Sequence, residues 1–293
     1  MITIMLMTWK ELLRKRVLVL TLLMTAVFLV AFWFVADTLG YRNMGVFHRG
    51  GDIDLIEQFT RGAFILMLGF FFGGFVLAFL AIFSSFSAIA GEAEQGVMQA
   101  LLPRPIPRWK WYAGRWLGYV SLGIGYALVL FVSILAVTGA HAGIPRDLGL
   151  LVRSFLLFAS VVPLIISVSM LGSGFFSALG NGVFMTMLYG AGWLGGMIEK
   201  LSGSLDLDEK LMQPLNTITG LMSLSMPADA IQRQMLAELL SYDQLTGFLP
   251  LTDNVFSLFA FGNLPSASFM LYAAAYGAAA FALGLLRFQR KDF

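Results

Sequence analysis

The 293-residue chain contains no cysteine, so disulfides, thiolate nucleophiles and cysteine-held metal sites are excluded. Its two histidines, His48 and His141, lie far apart and outside any HExxH or paired ligand spacing, and both read as ordinary residues of outer loops. Asp52, Asp54 and Glu57 could gather a cation near His48, but an acidic solvated turn is the simpler reading. No GxxxxGK[ST] loop occurs, so the chain supplies no P-loop for ATP, and no cofactor or metal is expected within it. Charge is scarce as well: 12% of residues are charged against 58% hydrophobic, about half the charge density usual in soluble domains.

What is present is long uncharged sequence. Val17 to Ala36, Gly62 to Gly91, Trp116 to Ala140, Ser154 to Ile198 and Asn254 to Leu286 contain no Asp, Glu, Lys or Arg. At about 1.5 Å per residue, roughly 20 helical residues cross a ~30 Å hydrocarbon layer, and each run is long enough. Continuous apolar runs, rather than ~10-residue alternating segments, exclude a barrel and predict an all-α polytopic membrane protein. Arg14, Lys15 and Arg16 before the first run resemble a signal peptide, but the run is long and ends at Asp37 without a small-residue cleavage pattern.

Six transmembrane helices are expected, at about 17–36, 62–83, 117–138, 155–171, 179–198 and 266–286. The fourth and fifth share one uncharged stretch, broken where helix propensity collapses at Gly172-Ser173-Gly174 and Gly180-Asn181-Gly182. With both termini cytoplasmic, the inside segments carry 11 of the 19 Lys and Arg, the positive-inside bias expected of short loops. The spans carry none of the buried charges that mark proton or ion relays, which argues against an autonomous channel or proton-coupled transporter. Gly69, Gly73 and Gly74, with Ser84, Ser85 and Ser87 beyond them, suit close helix packing or an adaptable conduit.

Three segments outside the spans carry information. Residues 1–16 form an amphipathic helix, with Met5, Trp9, Leu12 and Leu13 near one face and Lys10, Glu11, Arg14 and Lys15 on another. In the cytoplasmic loop 84–116, Glu92 and Glu94 followed by Val97, Ala100 and Leu101 predict a short helix, stopped by Pro103, Pro105 and Pro107. Trp109, Trp111, Tyr112 and Trp116, interleaved with Arg108, Lys110 and Arg115, read as headgroup anchors rather than a nucleic-acid surface. In the extracytoplasmic segment 199–265, Pro227 to Leu240 predicts a helix with Ser225 as N-cap and Ile231, Met235 and Leu239 as its packed face. Asn254 to Phe261 is a further short apolar piece before the last span.

The loop's residues Glu92, Gly96, Leu101, Leu102, Pro105, Ile106, Pro107 and Arg108 resemble a signature of the ABC-2 type of ABC transporter permease, a family that includes the permease of the nitrous-oxide-reductase maturation transporter. Val97 and Pro107 depart from the commoner hydroxyl residues at those places. The resemblance implies one type V exporter-like transmembrane domain over 1–293, with an elbow helix at 1–16 bearing Trp9, Lys10 and Glu11. It also implies a coupling helix that docks a separate ABC ATPase subunit, where ATP and Mg would bind. Glu92, Glu94, Gly96, Val97, Leu101, Leu102, Pro103, Pro105, Pro107 and Arg108 are the expected coupling residues. A second permease copy, membrane lipid and an extracytoplasmic partner complete the expected company, in a bacterial or archaeal plasma membrane. The alternative is a scaffold that docks an outer partner without moving substrate; a membrane enzyme would need a polar cluster that the sequence does not display.

Overall fold

The computed structural model describes residues 1–14, 16–40, 52–96, 107–142, 147–204, 209–240 and 265–290. Among them are ten α-helices and no strand: α1 Ile2–Arg14, α2 Arg16–Leu39, α3 Asp52–Ser85, α4 Ala90–Glu94, α5 Arg108–His141, α6 Leu148–Ser173, α7 Ala178–Ser204, α8 Glu209–Ser225, α9 Ala228–Leu239 and α10 Ala267–Arg290. Among the described residues five segments, Leu18–Leu39, Arg61–Glu94, Arg108–His141, Leu148–Ser173 and Ala267–Arg290, are long and apolar enough to cross a membrane. The span expected at 179–198 falls on α7, which at 27 residues has the length but is diluted by glycine and Asn181.

The runs become helices because hydrocarbon leaves no solvent for unpaired backbone groups. Their outward faces confirm the setting. Val19, Leu20, Leu23, Val27, Val30 and Phe34 of α2 are all exposed, a continuous apolar surface that no water-soluble monomer presents. The core lies instead where α3, α5 and α6 meet, with Phe70, Phe131 and Phe158 in mutual ring contact at 5.1–6.0 Å. Gly69 and Gly73 serve packing here: a Cβ on Gly69 would come within 2.6 Å of Phe32 of α2, and one on Gly73 within 2.7 Å of Ile134 of α5.

The α6–α7 break occurs at Gly174, and only residues 174–177 separate the helices. Gly180-Asn181-Gly182, expected to weaken helix, instead forms the first turns of α7. Asp147 caps α6 by accepting from the Gly149 amide at 2.9 Å. Pro163 sits inside α6 and lines a cavity of about 460 Å³ shared with Trp116 of α5, Ile231 of α9 and Gly277 of α10.

The α8 helix doubles back along α7, and α9 then runs away from the turn against α6. The helix expected from Pro227 to Leu240 is α9, and Ile231, Met235 and Leu239 are buried as expected. Ser225 is not its N-cap: the Ser225 hydroxyl donates backward to the Met222 carbonyl at 2.7 Å, and Pro227 holds the cap position. The turn lies deep among other helices. Tyr272 and Tyr276 of α10 donate to the Leu224 and Ser225 carbonyls at 2.8 and 2.9 Å, satisfying the helix C-terminus there. Tyr276 lies about 21 Å from the end of α10 at 1.5 Å per residue, and Gly192, which meets Met226, lies about 21 Å from the start of α7.

Two further expectations need correction. The helix anticipated from Glu92 through Leu101 is interrupted, because α4 ends at Glu94 and Gly96 takes a φ of 71°, a left-handed conformation suited to glycine. His141 is not a loop residue but the last residue of α5, with Nε2 3.8 Å from Asp37 of α2 and its ring edge-on to Trp33. His48 and Asn254 to Phe261 lie outside the described residues, as do the side chains of Asp52, Asp54 and Glu57.

Candidate coupling site

The first turns of α5 carry a glycine pair, Gly114 and Gly118, one helical turn apart. A Cβ on Gly114 would lie 2.9 Å from Ile4 Cβ, and one on Gly118 would lie 2.7 Å from Thr8 Cβ. These absent side chains let α1 lie directly on the backbone of α5, with Thr8 and Leu12 buried in the seam. Glu11 thereby reaches Arg115.

Arg115 is 3% exposed. Its two terminal nitrogens donate in opposite directions, one to Glu11 of α1 and the other to Glu92 of α4. Trp111 and Tyr119 flank the guanidinium at 5.5 Å each. The planar fork of arginine suits this task, since one rigid group can bind two carboxylates from different helices. Burying a cation is tolerable only with such partners; removing one side of a buried pair costs roughly 3–5 kcal/mol.

The single turn of α4 is held from the other side too. Ser173, the last residue of α6, accepts from the Ile89 and Ala90 amides at 3.0 and 2.9 Å, supplying the cap that α4 lacks from its own side chains. Glu94 accepts from the Ala178 amide at 2.9 Å, placing a carboxylate on the N-terminus of α7, where the helix dipole favours it. Asn181 of α7 donates to the carbonyls of Phe86 at 2.7 Å and Ser169 at 2.9 Å. Helices α1, α5, α6 and α7 thus all grip α4 or the turn leading into it.

Beside this cluster, α5 is fastened to α10. Trp111 stacks on Phe288 at 5.0 Å, Trp116 meets Phe281 at 4.9 Å, and Arg108 donates to the Gln289 carbonyl at 3.0 Å. Trp109 is exposed beneath the Lys110 ammonium, the position that the headgroup-anchor reading requires. That reading fails for Trp111, Tyr112 and Arg115, which are buried, and for Trp116, whose indole donates to Ser167 at 2.9 Å.

Of the expected coupling residues, Glu92, Glu94, Pro107 and Arg108 gather at this end of the bundle, and Gly96 supplies the turn after α4. Val97, Leu101, Leu102, Pro103 and Pro105 lie outside the described residues. Of the elbow set, Glu11 joins Arg115, Trp9 donates to Ser121 of α5 at 2.9 Å, and Lys10 faces outward. Arg115, Ser173 and Asn181 escaped the sequence reading. The glycine pair at 114 and 118, flanking a lone arginine, was the available signal.

A second buried charge cluster lies toward the far end of α7. Arg233 of α9, 4% exposed, sits 3.0 Å from Glu199 of α7 and 3.0 Å from Asp229 one turn back. Arg115 and this triad lie outside the expected spans, whose sequences carry no charge, yet both clusters are buried within the helical bundle.

A family profile described as ABC-2 family transporter protein matches residues 2–293. The chain belongs to that family. It is a multi-pass membrane protein and the permease subunit of an ABC transporter, whose family implies an ABC ATPase as working partner. No curated protein gives a significant match. Contacts of α4 reach Arg115, Ser173 and the N-terminus of α7.

Proposed function

We propose that this permease is the membrane half of an exporter, in which two copies enclose the path and each receives one ATPase subunit at α4. The supporting observation is the grip on α4, where one ion triad and three backbone-directed hydrogen bonds join it to α1, α5, α6 and α7. ATP and Mg bind in the partner, whose closure displaces α4. In this reading α7 is the fifth of six spans, α1 is the elbow helix lying in the interface, and both termini are cytoplasmic. The path is lined from α3 and α7 between the copies. Wide exposure of α2 and of Leu179, Val183 and Met187 on α7 leaves apolar surface for lipid and for the second copy.

The test is purification in mild detergent with identification of bound proteins, followed by export assays. A bound ABC ATPase whose disabled Walker lysine abolishes function supports the reading. Full function without ATP hydrolysis rejects it in favour of a scaffold.

A further inference from the structure

One unbroken helix joins the two charge clusters. At its start, α7 is held by Glu94 and Asn181 to the coupling end; about 31 Å along, Glu199 meets Arg233. The α8–α9 hairpin lies against α7 on a surface of glycines. A Cβ on Gly192 would fall 2.5 Å from the Met226 carbonyl oxygen, one on Gly195 would fall 2.6 Å from Met222 Cβ, and one on Gly196 would overlap the Asp229 carboxylate. Backbone therefore faces backbone along this seam, and the ion triad closes it.

The hairpin's other contacts differ in kind. Toward α3 it offers the Gln232 amide to the Phe70 carbonyl, with Gly74 making room. Toward α10 its carbonyls take the two tyrosine hydroxyls, and toward α6 Glu238 faces Arg153 at 3.6 Å in an exposed pair. Hydrogen bonds between ionised partners are about twice as strong as neutral ones, and an exposed ion pair adds about 1 kcal/mol or less. The α8 half of the hairpin packs on α7 and the α9 half packs its apolar face on α6, while Glu199 with Arg233 is the buried ion pair that ties the hairpin to α7. A buried ion cluster adds little net stability compared with apolar packing, and its best-attested use is to fix register between elements.

We infer that Arg233 is a positioning residue of the transport cycle: paired with Glu199 and Asp229, it fastens the α8–α9 hairpin to α7, so that displacement of α7 at the coupling helix draws the hairpin away from α3 and α10. The inference rests on the permease reading above and adds how the stroke reaches the opposite end of the bundle.

Hydrogen–deuterium exchange on the purified permease–ATPase complex, nucleotide-free and trapped with ATP and vanadate, tests it. In the parent, trapping changes exchange both around residues 86–96 and across 213–240. In Arg233→Met and in the milder Glu199→Gln, the response at 86–96 persists and that at 213–240 is lost; Arg233→Lys restores part of it. A purely structural Arg233 raises exchange of the hairpin in both states yet leaves its nucleotide response in place, and that result overturns the inference. So does a parent whose coupling segment responds while the hairpin does not. Failure of both segments to respond, with no ATPase bound, instead removes the permease reading itself and the inference with it.

Discussion

Replacing Arg115 by methionine leaves Glu11 and Glu92 facing one another without a cation. The two carboxylates are not equally dependent on it: the Glu92 side chain is 16% exposed and that of Glu11 34%. Breaking a buried pair costs roughly 3–5 kcal/mol, while pairs near the surface are worth about 1 kcal/mol or less. Arg115→Met should therefore cost about 3–4 kcal/mol, Glu92→Gln about 1–2 kcal/mol because a neutral acceptor remains, and Glu11→Gln under about 1 kcal/mol. At roughly 2–4 °C per kcal/mol the first change lowers Tm by about 6–16 °C. Thermal unfolding in one detergent at one scan rate, followed by tryptophan fluorescence, reads all three. The decisive sample is the triple variant Arg115→Met, Glu11→Gln, Glu92→Gln. With no charge left to strand, it should recover part of the loss seen in Arg115→Met alone. A triple variant less stable than Arg115→Met, or a Glu11→Gln as damaging as Glu92→Gln, would refute the assignment of the triad as a charge-neutralising tie.

Gly118→Val should lift α1 from α5, costing about 1–3 kcal/mol by overpacking against Thr8, with faster amide exchange over residues 2–14. Gly125→Ala on the same helix meets open space and should be neutral or up to about 1 kcal/mol stabilising. Asn181→Leu should cost about 2–4 kcal/mol, because it strips donors from the Phe86 and Ser169 carbonyls, and the Tm shift measures it. Tyr276→Phe should cost about 1–2 kcal/mol and raise exchange at the α8–α9 turn, whose Ser225 carbonyl loses its donor.

The sequence displays what is local in this fold. Long uncharged runs become helices because nothing else satisfies their backbone in lipid, and Gly172-Ser173-Gly174 breaks the longest run where propensity is weakest. The packed face of α9 was equally legible from its spacing. Charge partnership was not. Arg115 lies 104 residues from Glu11 and 23 from Glu92, and its tryptophan and tyrosine neighbours have the composition of an interfacial belt. Arg233 was hidden differently: on the helix expected from Pro227 to Leu240 it falls off the face marked by Ile231, Met235 and Leu239, and only the doubling back of α8 brings Glu199 to it. Ser225 has the residue type of an N-cap, but an intervening proline takes the cap position and its hydroxyl turns back. Residue type predicts caps and anchors statistically; packing decides which are used.

The proline inside α6 has a mechanical consequence. Pro163 has no amide hydrogen, so the Ala159 carbonyl lacks its usual rung, and one turn on the Ser167 hydroxyl donates to the Pro163 carbonyl at 2.7 Å. Toward one end from this point lie Ser169 and Ser173, tied to α7 and α4; toward the other lies Arg153. A well-enclosed helix thus carries, between its two tied ends, a level where its backbone ladder lacks a rung and bending costs least.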